Sequence, residues 1–324
     1  MRVVFFGSPS EVLFPLLELR RLDAEGEIEL VAIVSQPPRP FGRGHKLSDP
    51  PIADYAKCEN LRVFQFTDIN SEEALEVLAS LNADVFITAA YGQILSKKFL
   101  KIAHRATINI HPSLLPKYRG ATPVASALIN GDDTTGVSIL FTVRKLDAGA
   151  IIVQENYSIP ENITCDVLTS ELFKFSASLL PVALKKLTEP NFTGEIQNEN
   201  EVSLCHKIQK SDGELDWSLP NYEIIRRFRA YTPWPSVYSY LHTQQVTFEE
   251  MQKCDFLDNP SSESKMQPGS FFFNKSSKSF FVACGSGFIS LTKLKASGGK
   301  SLDAASFYNG LKNKNNLIFN MSST

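Results

Sequence analysis

In the segment TINIHPSLLPKYRG, residues 107–120, Asn109 and His111 stand two positions apart and Pro112 follows directly. If 107–111 is a strand, side chains at that spacing leave the same face, and the proline ends the strand just beyond them. An amide donor and an imidazole then converge at the carboxyl end of a sheet, where parallel α/β folds hold ligands. Such a pair works best with a carboxylate that orients the ring and favours its charged form, and Asp147 in RKLDAGA supplies a candidate between two further strands. The chemistry open to this set is hydrogen-bond donation and proton transfer at one point. A serine nucleophile at Ser113 is the rival reading, but it lacks the G-x-S-x-G turn.

These residues need elements to position them. Over the first 160 residues, short β-branched and aromatic runs at 3–6, 29–34, 62–66, 84–89, 107–111, 136–143 and 151–159 alternate with helical patterns at 11–22, 51–58, 71–81 and 123–130. That alternation predicts an α/β domain, a Rossmann-like and mostly parallel sheet covered on both faces. A last helix spans 165–187, with Asp166 in its first turn. The polar stretch 189–206 reads as a connector. Beyond it lie one helical pattern, 222–230, and five short strand-like runs between turns, which predict a small antiparallel, OB-like β-barrel. The expected domains are therefore 1–188 and 207–324, joined by 189–206. The turn FFGSPSEV has one glycine where a dinucleotide fingerprint needs three, so no nucleotide cofactor is expected there, and Ser10 reads as a helix cap.

The 324 residues carry 33 Lys and Arg against 35 Asp and Glu, a net charge of -2. Divided at the connector, residues 1–206 carry a net charge of -6 and residues 207–324 a net charge of +4. A basic barrel beside an acidic α/β domain suits a protein whose barrel meets phosphates while the other half does chemistry. Five scattered cysteines without a C-x-x-C pair argue against a disulfide framework or a zinc site, and no metal is expected. The opening MRVVFFGSP is too short for a membrane span and lacks a transit-peptide pattern. A cytoplasmic protein without a membrane is expected, bacterial in preference to organellar, and a monomer.

The chain resembles the folate-dependent formyltransferases, and within them the branch that formylates methionine on initiator tRNA. The resemblance rests on FFGSP, QPPRPFGRGHKL (36–47), ADVFITAAYGQIL (83–95), NIHPSLLPKYRGATP (109–123), LDAG (146–149), LDWS (215–218) and YTPWPSVY (231–238). It implies 10-formyltetrahydrofolate as formyl donor, methionyl initiator tRNA as acceptor, and Asn109, His111 and Asp147 as the catalytic trio. It also implies a folate pocket from Ala90, Tyr91, Gln93, Ile94, Leu95, Lys145 and the SLLP turn, Ser113, Leu114, Leu115 and Pro116. The prolines and glycines of 36–47 are expected to forbid helix and sheet, leaving an exposed basic loop. The family's use of that loop makes Arg39, Arg43 and Lys46 candidate tRNA contacts. Lys207, Lys210, Arg226, Arg227 and Arg229 are candidate phosphate contacts in the second domain, where Trp217 and Trp234 read as packing anchors. The family pattern has Asp and Gly ahead of the aspartate, where this chain has Val143 and Lys145, and an acid where it has Ala150; the loop flanking the pterin is altered. The alternatives are a same-fold enzyme acting on a small amine or on water, and an RNA-binding protein with impaired catalysis.

Overall fold

The computed structural model describes residues 1–41, 46–254, 266–314 and 317–321. The chain forms two compact units, one of residues 1–124, 133–159 and 167–206, the other of 125–132, 160–166 and 207–324.

The first unit runs β1 Arg2–Gly7, α1 Leu13–Ala24, β2 Glu29–Ser35, β3 Arg39–Phe41, β4 Lys46–Ser48, α2 Pro51–Cys58, β5 Val63–Gln65, α3 Glu72–Ser80, β6 Val85–Ala89, β7 Ala106–His111 and β8 Arg119–Gly120. After α4 Pro123–Asn130, most of which belongs to the second unit, come β9 Thr134–Phe141, β10 Ile151–Ser158, α5 Cys165–Lys186 and β11 Leu204–Cys205. Seven strands form one sheet in the order β10-β9-β7-β6-β1-β2-β5. The strands β1, β2, β5, β6 and β7 are parallel, while β9 and β10 extend the β7 edge antiparallel. The apolar runs explain the arrangement, because a strand covered on both faces needs no polar alternation, and Val3 to Phe6 are wholly buried. Phe6 sits among Phe86, Tyr91 and Phe99 at ring-centroid distances of 5.0, 5.6 and 5.4 Å.

Local signals held unevenly. Ser71 caps α3, its hydroxyl oxygen accepting from the Ala74 N–H at 3.2 Å. Ser10 does not cap; its hydroxyl turns to Glu11 instead, and α1 begins without a side-chain cap. The helix α5 is long and apolar enough to cross a bilayer, yet Leu168, Leu172, Phe173, Leu179, Leu180 and Leu184 are buried within the protein, as on the inner face of a core helix.

Two expectations need correcting. The 36–47 segment contains sheet, because β3 pairs with β4 as a two-stranded ribbon that sets Pro40 opposite Leu47. A proline fits an edge strand whose missing N–H leaves no ladder partner wanting. Residues 189–206 are also more than a connector. Glu195 bridges Ile151, and β11 pairs with β8, so this polar stretch is bonded into the first unit.

The second unit contains α6 Asn221–Tyr231, β12 Val237–Leu241, β13 Gln244–Cys254, β14 Phe271–Asn274, β15 Ser279–Ala283, β16 Phe288–Ala296, β17 Ser301–Asp303, α7 Ala304–Gly310 and β18 Phe319–Asn320. Its antiparallel sheet runs β14-β15-β16-β13-β12-β18, with β17 on β16. The ends meet through a bridge between Ser270 and Ile318, where the Phe271 N–H donates to Leu317 O at 3.0 Å and the Phe319 N–H to Gly269 O at 2.8 Å. The sheet thus closes on itself, which removes exposed edges. Aromatic rings fill it: Phe271 stacks on Phe319 at 4.1 Å, and Trp217 packs on Phe248 and Phe319 while its indole N–H donates to the Ser239 hydroxyl at 3.2 Å. Trp217 is the packing anchor expected. Trp234 is not, since it is 55% exposed in the turn before Ser236, and turns lie at the surface.

Candidate active site

Asn109 and His111 lie on the last turn of the β7 ladder, in register with Thr88 of β6 and Ser138 of β9 respectively. Asp147 comes from the loop joining β9 to β10 and holds φ at +47°, a conformation most residues avoid. Its carboxylate stands between the other two. Oδ1 is 3.5 Å from the Asn109 amide nitrogen, Oδ2 is 3.6 Å from His111 Nδ1, and Oδ2 also accepts the Gly120 N–H at 2.9 Å. The three side chains paired on sequence grounds are therefore brought together. At 3.5 and 3.6 Å the two donors are only loosely engaged, so both retain capacity for a group placed between them.

The imidazole is buried, at 4% exposure, and its Nε2 lies 2.9 Å from Tyr118 O. Both ring nitrogens thus face acceptors, a carbonyl on one side and a carboxylate on the other.

The aspartate's loop is held from outside the sheet. Gln197 is buried, and its amide nitrogen donates to Asp147 O at 2.8 Å and Gly149 O at 2.7 Å, while its oxygen accepts from Arg119 Nε at 2.9 Å. Arg119 is itself 1% exposed, and its Nη2 reaches Glu199 at 2.9 Å. Lys145 bonds the other Glu199 oxygen at 2.6 Å, and these two donors, Lys145 first, hold the Glu199 carboxyl below its usual range. Substituting Gln197→Leu removes the donors to the Asp147 and Gly149 carbonyls, so we expect a loss of about 2–4 kcal/mol in chemical denaturation. Gly149 has no alternative at its position, because a Cβ there would stand 1.7 Å from Phe141 O. Gly149→Ala is expected to cost about 3 kcal/mol, read as a fall in Tm.

The predicted folate residues divide. Ala90 is exposed with φ at +44°, Ile94 is 90% exposed, and Leu95 and Gln93 are half-buried. Val143 and Leu146, at 44% and 66%, are likewise apolar and uncovered. The segments 90–95 and 143–147 thus both carry uncovered apolar side chains. Other residues of the set are occupied internally. The Tyr91 ring is buried in the core, and burial pushes its hydroxyl above the ordinary tyrosine range. Gln93 ties the Ile69 N–H to Phe66 O. Lys145 is paired with Glu199, so the altered residue in this loop has found a partner within the protein.

In the SLLP turn, Ser113 is fully buried and its hydroxyl donates to Lys117 O at 2.8 Å, which leaves the rival nucleophile without access to substrate. Leu115 packs with Leu140 and Ile151, its N–H donates to the Ser138 hydroxyl, and its carbonyl accepts from Gln154. Ser113 and Leu115 shape the turn from inside, while Leu114 and Pro116 stay half-buried.

Of the candidate tRNA contacts, Arg39 is exposed on the ribbon, with Nη2 3.2 Å from the Gln36 side chain, and Lys46 begins β4. Arg43 lies outside the described residues. Lys207 and Lys210 are exposed. Arg229 departs from its expected role, because its guanidinium donates to Ile163 O at 2.9 Å and Pro160 O at 3.4 Å and ties a loop of its own unit. Burial, first, lowers its pKa from the usual arginine value. Arg226 lies over the Tyr222 ring at 5.2 Å, and the Arg227 charge acts on the Tyr231 hydroxyl. Among the described residues, no group of three or more His, Cys, Asp or Glu could hold a metal ion.

A parallel sheet extended by two antiparallel strands, a carboxylate between an amide and an imidazole at its carboxyl end, and a closed antiparallel sheet in a second unit define a class with known members. Residues 1–184 match the formyl transferase family and residues 207–312 match the formyl transferase C-terminal domain. The chain belongs to the formyl transferase family. It is 35% identical over 312 residues to the methionyl-tRNA formyltransferase of Marinobacter nauticus, covering 96% of this chain and 97% of that one. It is 39% identical over 246 residues to the methionyl-tRNA formyltransferase of Chloroflexus aurantiacus, 76% and 78% of the two chains. The structure of HypX from Aquifex aeolicus in complex with tetrahydrofolic acid shares the fold, with a TM-score of 0.62 at 16% identity, and there the chain spans 95% of its own length but 47% of HypX.

Proposed function

We propose that this chain transfers the formyl group of 10-formyltetrahydrofolate to the amino group of methionyl initiator tRNA. The observation that carries the reading is the meeting of Asn109 and His111 around Asp147, in a chain that matches bacterial enzymes of that activity over 96% of its length.

The residues suit the steps. When bound, the folate supplies an activated formyl carbon next to a nitrogen that can leave. As the amine attacks, electron density moves to the formyl oxygen, and the Asn109 N–H and His111 N–H donate to it. Asp147, held by the Gly120 N–H, orients the imidazole and takes the amine proton, directly or through one water. The amine–carbon bond forms, the bond from carbon to the folate nitrogen breaks, and that nitrogen leaves with the proton that Asp147 took from the amine, which returns Asp147 to its carboxylate form. No covalent bond to the protein is made. Arg39 and Lys46 of β3 and β4, and Arg43 between them in sequence, with Lys207, Lys210, Arg226 and Arg227 in the second unit, supply positive charge for the acceptor's phosphates. The matched bacterial relatives support a cytoplasmic setting.

The test offers 10-formyltetrahydrofolate with charged initiator tRNA, a small amino sugar nucleotide, or water alone. Formylation confined to the tRNA is expected. Turnover of the donor with the small amine or with water, and none with tRNA, would overturn the proposal.

A further inference from the structure

We infer that Thr88 is a positioning residue for formyl transfer, its hydroxyl fixing which end of the Asn109 amide meets the formyl oxygen. The inference rests on the reading of Asn109 as a donor to that oxygen. Thr88 is the one hydroxyl in the apolar strand VFITA, it is 5% exposed, and the parallel register sets it directly beside Asn109 on the same face. Its Oγ1 lies 2.8 Å from Asn109 Oδ1 and 3.1 Å from Ile108 O.

A carboxamide has two nearly isosteric ends, and a half-turn of χ2 exchanges donor for acceptor. A catalytic amide therefore needs both ends specified. Here Oδ1 is the nearer of the two acceptors for the single Thr88 hydrogen, at 2.8 against 3.1 Å for Ile108 O, while the amide nitrogen faces Asp147 at 3.5 Å. The reversed amide would set its oxygen against the carboxylate, two acceptors with no hydrogen between them. Asp147 therefore rejects the wrong orientation, and Thr88 holds the right one. With valine at 88, Oδ1 would face a methyl group, and an amide that turns to find another donor no longer presents its N–H to the formyl oxygen.

Thr88→Val keeps the shape of the side chain and removes the hydroxyl; Thr88→Ser keeps the hydroxyl. We expect Thr88→Val to lower kcat about tenfold with KM for both substrates held within about twofold, and Thr88→Ser to retain most of the rate. The side-chain amide resonance of Asn109, read by NMR in the full chain, is expected to shift in Thr88→Val and stay in place in Thr88→Ser. Equal kcat in Thr88→Val and the parent, equal losses in both variants, or an unmoved Asn109 resonance in Thr88→Val would each overturn the inference. The resonance decides it even if the parent chain transfers no formyl group, a result that would instead overturn the proposed function.

Discussion

Replacing His111 by alanine is expected to lower kcat about 10³-fold while the Kd for charged tRNA stays within about twofold. The size follows from what the ring does. It is buried, its Nε2 is anchored by Tyr118 O, and its Nδ1 points to the place shared by Asn109 and Asp147. Removing it deletes a donor to the forming oxyanion and frees the aspartate from its partner. Alanine also leaves a space beside Tyr118, so His111→Gln is the companion variant, filling that space with an amide in place of the ring. It should show a comparable loss with a Tm near that of the parent. Rapid-quench formylation and filter binding on both variants give the two numbers, and a large loss of tRNA affinity with chemistry intact would contradict the assignment.

Asp147→Asn is expected to lower kcat by about 10²-fold with little change in Tm. Asparagine can still accept the Gly120 N–H that Oδ2 accepts at 2.9 Å, and the backbone carbonyl held by Gln197 is untouched. What disappears is the negative charge between the Asn109 amide and the imidazole, and with it the acceptor for the amine proton. Thermal unfolding beside single-turnover rates checks this. A variant that keeps the parent's rate would remove Asp147 from the chemistry, and one that unfolds early would mark it as a structural residue.

Much of this site is readable in the residues themselves because a strand has a period of two. Asn109 and His111 share a face by spacing alone, and Pro112 marks where the face meets the sheet's end. Asp147 is less accessible to such reasoning, since its place depends on a left-handed turn closed by Gln197, 50 positions later in the chain. Nothing distinguishes Gln197 from its polar neighbours in EIQNENE; its role appears only when the segment folds back against β8 and β10. Thr88 carried a detectable signal, a lone hydroxyl in a strand otherwise apolar and buried. Arg229 misleads for the opposite reason, because a cationic helix face looks alike whether its guanidinium meets a phosphate or a carbonyl of its own chain. The second unit's barrel is legible in its short strand-like runs between turns, but the seam that closes it, one bridge at Ser270 beside a short strand at 319–320, is not.

Rapid-quench single turnover with excess protein, labelled 10-formyltetrahydrofolate and charged initiator tRNA tests the central claim most directly. The expected result is formylmethionyl-tRNA appearing in one exponential phase, with label passing from folate to tRNA and none retained on the protein, and with the phase slowed about 10²-fold or more in Asn109→Ala. Label trapped on the protein, or an Asn109→Ala rate equal to that of the parent, would contradict the account.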